Sequence, residues 1–207
     1  MIIPKLHYIS QGETPTKLLE NIQKACTSGI ELIVLRYEDA SEKKALKLAK
    51  EAIKITSHFQ TRLLISDYYK VAKTIKADGV HFENVEHFST SARQFLHSWQ
   101  IIGCTATTLK ECEILVSNNV DYIALSSFRN TNTSLGLEGY TEITKTLNTE
   151  TPILGYGNIT LNDVKGILKT GISGIAVSDA ITKNFNSIKT FNELLNASST
   201  QEQRHTF

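Results

Sequence analysis

Eight short apolar runs, each followed by a stretch with helical spacing, leave this chain few folds to choose from. The runs are 6–10, 32–36, 63–66, 79–82, 101–105, 122–126, 153–156 and 174–177. Between them lie segments such as 17–27, with Leu18, Leu19, Ile22, Ala25 and Cys26 on one face, and a helix opening at Ser41. Ser41-Glu42-Lys43-Lys44 has the form of an N-cap. Further helical patterns cover 68–76, 91–99, 109–117, 140–147, 161–169 and 188–195. Strands that are apolar almost throughout belong to a parallel sheet buried on both faces. Eight strand–helix units in 207 residues predict a single compact α/β (βα)8 TIM barrel. An open doubly wound sheet is the alternative. The barrel is assigned to residues 1–197 and a polar tail to 198–207.

Composition narrows the classes of function. A net charge of +1 with no long run of one sign argues against a nucleic-acid partner. No apolar stretch approaches the ~18 residues of a membrane span. The start of the chain lacks the layout of a signal peptide. Cys26, Cys104 and Cys112 show no CxxC spacing, so they are expected as reduced thiols of a cytoplasmic protein. Cys104 is expected in the barrel core. A homo-oligomer is compatible with the pattern.

A parallel barrel carries its chemistry at the C-terminal strand ends. There the chain offers Arg36 after strand two, Ser66-Asp67 after strand three, and His81 in strand four with Glu83, Asn84 and Glu86 beyond it. Thr105 and Thr107 end strand five, and a Ser/Thr/Asn-rich loop from 127 to 134 follows strand six. Strands seven and eight end in Gly155-Tyr156-Gly157-Asn158-Ile159 and Val177-Ser178-Asp179. Free amides and a helix N-terminus at such ends suit a phosphate. Each candidate has a plain alternative: Arg36 as a rim ion pair, Asp67 as a helix cap, His81 as a packed core residue, the loop as a solvated connection rather than a lid.

With these residues in view, the chain from Leu6 to Ile181 resembles the thiamine phosphate synthase and TenI-type superfamily. The family's Gln-Leu-Arg appears as Val34-Leu35-Arg36, its Asn-Asp as Ser66-Asp67, and its Asp-Gly-Val-His as residues 78–81. Ile101-Ile102-Gly103, the Leu-Gly-Leu-Glu-Gly at 135–139, Gly157-Asn158-Ile159 and the closing Gly174-to-Ile181 segment follow in order. The resemblance implies an enzyme of the synthase kind. It would condense a pyrimidine methyl diphosphate with a thiazole phosphate and release diphosphate with magnesium. On that basis Arg36 contacts the diphosphate, and Asp67 and Glu86 hold magnesium. Gly157, Asn158, Val177 and Ser178 bind the thiazole phosphate through backbone and hydroxyl donors.

Several positions depart from the family. Val34 replaces its Gln, Glu38 a Lys, Ser66 an Asn, and Thr105 and Thr107 its Ser and His. The loop's Lys is absent, with Arg129 as the candidate replacement. A charge-assisted hydrogen bond contributes about 1.5–3 kcal/mol, so two lost lysines represent roughly two to four decades of diphosphate stabilisation. The TenI branch, which shifts a double bond in a thiazole carboxylate phosphate, needs neither diphosphate nor metal. Its acid/base His aligns near Ser127, leaving His81 as the candidate. A third reading keeps the phosphate pocket as a binding or regulatory module without turnover.

Overall fold

The computed structural model describes residues 2–37, 41–129 and 134–202, with side chains as far as Asn196. The strands are β1 (Leu6–Ile9), β2 (Leu32–Leu35), β3 (Arg62–Ser66), β4 (Gly79–Phe82), β5 (Ile101–Ala106), β6 (Tyr122–Leu125), β7 (Ile153–Tyr156) and β8 (Gly174–Val177). Each pairs in parallel with the next, and β8 returns to β1 with His7 opposite Ala176, so the sheet is a closed barrel. That closure rules out the open sheet.

The helices are α1 (Pro15–Thr27), α2 (Glu42–His58), α3 (Tyr69–Thr74), α4 (Ala92–Phe95), α5 (Leu109–Ser117), α6 (Gly136–Leu147), α7 (Val164–Leu168), α8 (Asp179–Lys183) and α9 (Ser187–Glu202). Local chemistry starts several of them. Thr14, Ser41 and Thr108 accept the amides of Lys17, Lys44 and Glu111 through their hydroxyls. Each such cap is worth about 1 kcal/mol. Pro15 opens α1, where its missing N–H costs nothing.

The period-two alternation of a strand divides the apolar residues into two cores. Ile33, Leu35, Ile65, Phe82, Leu125 and Val177 pack outward against the helices. Leu32, Val34, Leu64, Ile101, Tyr122, Leu154 and Ala176 fill the barrel. Cys104 belongs to the outer layer, not to the barrel interior, because it stands one residue off the inward parity of Gly103 and Thr105. All three cysteines are buried and free.

Five elements differ from the sequence reading, the simplest being α6, which begins at Gly136 rather than near 140. The helix expected over 91–99 is reduced to α4 because buried Gln100 intervenes. Its side chain accepts the His97 amide at 2.9 Å and donates to the Ala72 and Ala77 carbonyls, which turns the chain before Trp99. The helix expected from 161 starts instead at Val164, since the Asp163 carboxylate accepts both the amide and the hydroxyl of Thr160. A short α8 stands between β8 and the last helix. Finally, α9 continues to Glu202, past the assigned start of the tail. No helix among the described residues is long and apolar enough to cross a membrane.

Candidate active site

Strand parity decides which side chains reach the C-terminal mouth. A hollow of about 460 Å³ opens there, with Arg36 and Glu83 on one side, Thr105 and Ser126 between, and Gly157, Asn158 and Ser178 on the other. A second hollow of about 380 Å³ shares Arg36 and Glu83 with it and adds Ser66, Asp67 and His87.

The side at β7 and β8 is built of backbone. Gly157 has φ +106, and a Cβ there would lie 3.1 Å from Ser127 Oγ, so this turn needs glycine. Asn158 follows in the left-handed region at φ 49. The amides of Gly157, Asn158 and Ser178 donate no hydrogen bond among the described residues. Val177 turns its side chain to the helix layer, so only its backbone is available to the hollow. The Ser178 hydroxyl, expected as a donor to phosphate, instead donates to the Ile9 carbonyl at 2.8 Å and ties β8 to β1. The end of β7 is held from α6: the Tyr140 hydroxyl accepts the Tyr156 amide at 3.0 Å and donates to the Leu125 carbonyl at 2.7 Å.

The side at β2, β3 and β4 is built of charged side chains that hold one another. Arg36 Nε lies 3.5 Å from Glu83 Oε2, and Glu83 Oε1 accepts the Ser66 hydroxyl at 2.6 Å. The guanidinium also reaches the Tyr156 hydroxyl at 3.5 Å. Arg36 is thus both the rim ion pair and a wall of the hollow. Asp67 is not a helix cap, since α3 has no side-chain cap. Its Oδ1 accepts the Glu83 amide at 3.0 Å, its Oδ2 lies 3.0 Å from His87 Nδ1, and its backbone sits at φ 59.

The other candidates lie elsewhere. Glu86 is exposed, and the carboxylate that shares a hollow with Asp67 is that of Glu83. Arg129 packs over the Phe128 ring and pairs with Asp163, so it is not on the hollow's wall. His81 is 2% exposed inside the barrel, bonded at Nδ1 to the Tyr122 hydroxyl and at Nε2 to that of Thr105. Burial, more than its charged neighbours, holds its pKa below the usual imidazole value. Glu38 and residues 130–133 of the loop lie outside the described residues.

Glu83 and Tyr156 stand at strand ends that the sequence points to, but neither receives a role there. Parity was the available signal: each stands two positions beyond an inward residue, His81 and Leu154. Magnesium can be tested against this donor set. Among the described residues, no three His, Cys, Asp or Glu side chains cluster to hold a metal ion. Asp67 and Glu83 supply hard oxygens, and magnesium commonly completes its shell with water and substrate phosphate. The residues therefore fit an ion carried in with a diphosphate better than a resident one.

The family model described as thiamine monophosphate synthase matches residues 6–181. The chain belongs to this family. It is 38% identical over 189 residues to the thiamine-phosphate synthase of Flavobacterium johnsoniae, covering 87% of this chain and 89% of that one. Identity to the thiamine-phosphate synthase of Flavobacterium psychrophilum is also 38%, over 92% of this chain and 97% of the relative. Thiamine phosphate pyrophosphorylase from Pyrococcus furiosus superposes with a TM-score of 0.78 at 24% identity, covering 92% and 96% of the two chains, a likeness of fold. Within the thiamine monophosphate synthase family, then, this member has one site half made of backbone amides and one made of mutually engaged side chains.

Proposed function

We propose that the chain is a thiamine-phosphate synthase, a transferase that joins a hydroxymethylpyrimidine diphosphate to a thiazole phosphate. The carrying observation is the single hollow that has amides donating to no described residue at one end and Arg36 at the other. In the reaction the pyrimidine methylene C–O bond to diphosphate breaks and a C–N bond to the thiazole nitrogen forms. Diphosphate leaves with the bonding electrons.

The amides of Gly157, Asn158 and Ser178 hold the thiazole phosphate, a role for which backbone N–H groups need no particular side chain. Arg36 takes charge of the departing diphosphate, exchanging its Glu83 contact for phosphate oxygens. Asp67, with Glu83 rather than the exposed Glu86 beside it, would hold magnesium, which supplies positive charge to the leaving group when bound. Arg129 would take part only by leaving Asp163. The tautomerase reading is less well supported, because His81 has both nitrogens bonded inside the barrel and, among the described residues, no imidazole lines the larger hollow.

The test supplies both substrates with magnesium and follows thiamine phosphate and diphosphate. Stoichiometric release of the two is expected. Thiazole phosphate binding without turnover would replace this reading with that of a binding module. Isomerisation of a thiazole carboxylate phosphate would replace it with that of a tautomerase.

A further inference from the structure

A line of polar groups crosses the apolar barrel and ends at the hollow. Tyr122 lies in the space left by Gly103, where a Cβ would come within 2.1 Å of the ring. Its hydroxyl meets His81 Nδ1 at 2.8 Å, and the two rings stack at a centroid distance of 5.6 Å. On the far side of the imidazole, Nε2 meets Thr105 Oγ1 at 2.9 Å. All three residues are buried, Tyr122 and His81 at 2% exposure or less and Thr105 at 6%, and of the three only Thr105 lines the hollow.

A neutral imidazole donates from one nitrogen and accepts at the other, so these two bonds must run the same way. If Nδ1 carried the proton, Tyr122 Oη would accept from it. The tyrosine O–H would then be left without an acceptor in the sealed core, as it has no other partner among the described residues. An unsatisfied buried hydroxyl disfavours that arrangement by about tenfold or more. In the opposite order Tyr122 donates to Nδ1 and Nε2–H donates to Thr105 Oγ1. The Thr105 hydroxyl, which donates to no described group, is then turned with its hydrogen toward the hollow.

We infer that Tyr122 and His81 are positioning residues that fix Thr105 as a hydrogen-bond donor to an anionic oxygen of the bound ligand. The donor role rests on the reading of the hollow as a phosphate-ligand site; the ordering of the protons does not. Burial supports the ordering, keeping Tyr122 protonated well above its usual range and His81 neutral. The two buried residues touch no substrate. They select which end of a hydroxyl faces it.

Two measurements test this. The first is a long-range ¹⁵N–¹H correlation spectrum of the ¹⁵N-histidine-labelled full chain. The Nε2–H tautomer is expected for His81, and an Nδ1–H tautomer overturns the relay whatever the ligand does. The second compares binding of thiazole phosphate, and of inorganic diphosphate with magnesium, to wild type, Thr105→Val, Thr105→Ser and Tyr122→Phe. Thr105→Val and Tyr122→Phe are expected to lose about tenfold in affinity for one of the two ligands, and Thr105→Ser to retain it. Unchanged binding by Thr105→Val overturns the donor role. A wild type that binds neither ligand while showing the Nε2–H tautomer overturns the reading of the hollow and leaves the proton order standing.

Discussion

The two halves of the mouth are made of different material. At the ends of β7 and β8 the donors are amides, presented by the left-handed turn at Gly157 and Asn158 and by the start of α8. At the ends of β2, β3 and β4 they are side chains that engage one another, with Arg36 on Glu83, Glu83 on Ser66, and Asp67 on the Glu83 amide and His87. A backbone site tolerates almost any substitution that keeps the turn. A side-chain site changes with each residue replaced, and the departures at Val34, Ser66, Thr105 and Thr107 all fall on that half or beside it. On the proposed reading, phosphate binding and leaving-group chemistry can therefore drift independently within one barrel.

The strongest way to break this comparison is a pair of variants. Arg36→Ala should weaken binding of the pyrimidine diphosphate by about ten- to a hundredfold, the value of a charge-assisted contact. Thiazole phosphate should bind within a factor of about two of wild type, since no guanidinium contact is assigned to it. Gly157→Ala should invert the pattern. A Cβ at φ +106 strains the turn by about 1–3 kcal/mol, and the loss should appear in thiazole phosphate affinity by titration calorimetry. Equal losses of both ligands in either variant would show that the halves are one site.

The barrel floor beneath both halves gives the next effect. His7 is buried, neither of its ring nitrogens has a well-formed hydrogen bond among the described residues, and burial, only partly offset by the Pro4 carbonyl, drives its pKa from 6.5 to about 3. The folded state thus refuses a proton that the unfolded chain accepts. Its contribution is complete above about pH 6.5 and falls by ~1.4 kcal/mol per unit as the pH drops toward 3. His81 acts in the same sense. Urea unfolding at pH 6.5 and 5 should show His7→Phe losing about 1.6 kcal/mol less than wild type over that interval. An unchanged acid slope would mean that the site is solvated.

The smallest expected effect sharpens the comparison. Glu83→Gln keeps an oxygen for the Ser66 hydroxyl and removes the charge beside Arg36. Diphosphate affinity in magnesium-free buffer should rise roughly two- to fivefold, as expected for a partly exposed ion pair. Thiazole phosphate affinity should not change. A fall in diphosphate affinity would make the Glu83 carboxylate a ligand-binding group in its own right.

Much of the fold was legible because it rests on period and parity. All eight strands fell where the apolar runs placed them, and Ser41 caps α2 as its local motif suggested. The wall of the hollow was legible where backbone makes it, at Gly157 and Asn158. It was obscure where side chains choose among partners. Glu83 and Glu86 look alike in sequence, and only strand parity carried past the end of β4 separates them. Arg129 has the charge a diphosphate wants, but Asp163, brought near by the α7 turn, holds it. His81 looks like an acid or base until Tyr122, 41 residues away, is seen at its other nitrogen. The short α4 was hard to read because its local stop, the Gln100 side chain accepting the His97 amide, is held in place by the distant Ala72 and Ala77 carbonyls.

The Tyr140 bridge has a consequence for how the mouth breathes. The Tyr156 amide, at the lip of the hollow, donates to a helix side chain, the Tyr140 hydroxyl. It can exchange its hydrogen with solvent only when that hydroxyl withdraws, which couples it to the opening of α6. That one amide is a natural clock for the helix following the 127–134 loop. Its exchange rate in the presence and absence of ligand would time the helix's local unfolding while the barrel behind it stays shut.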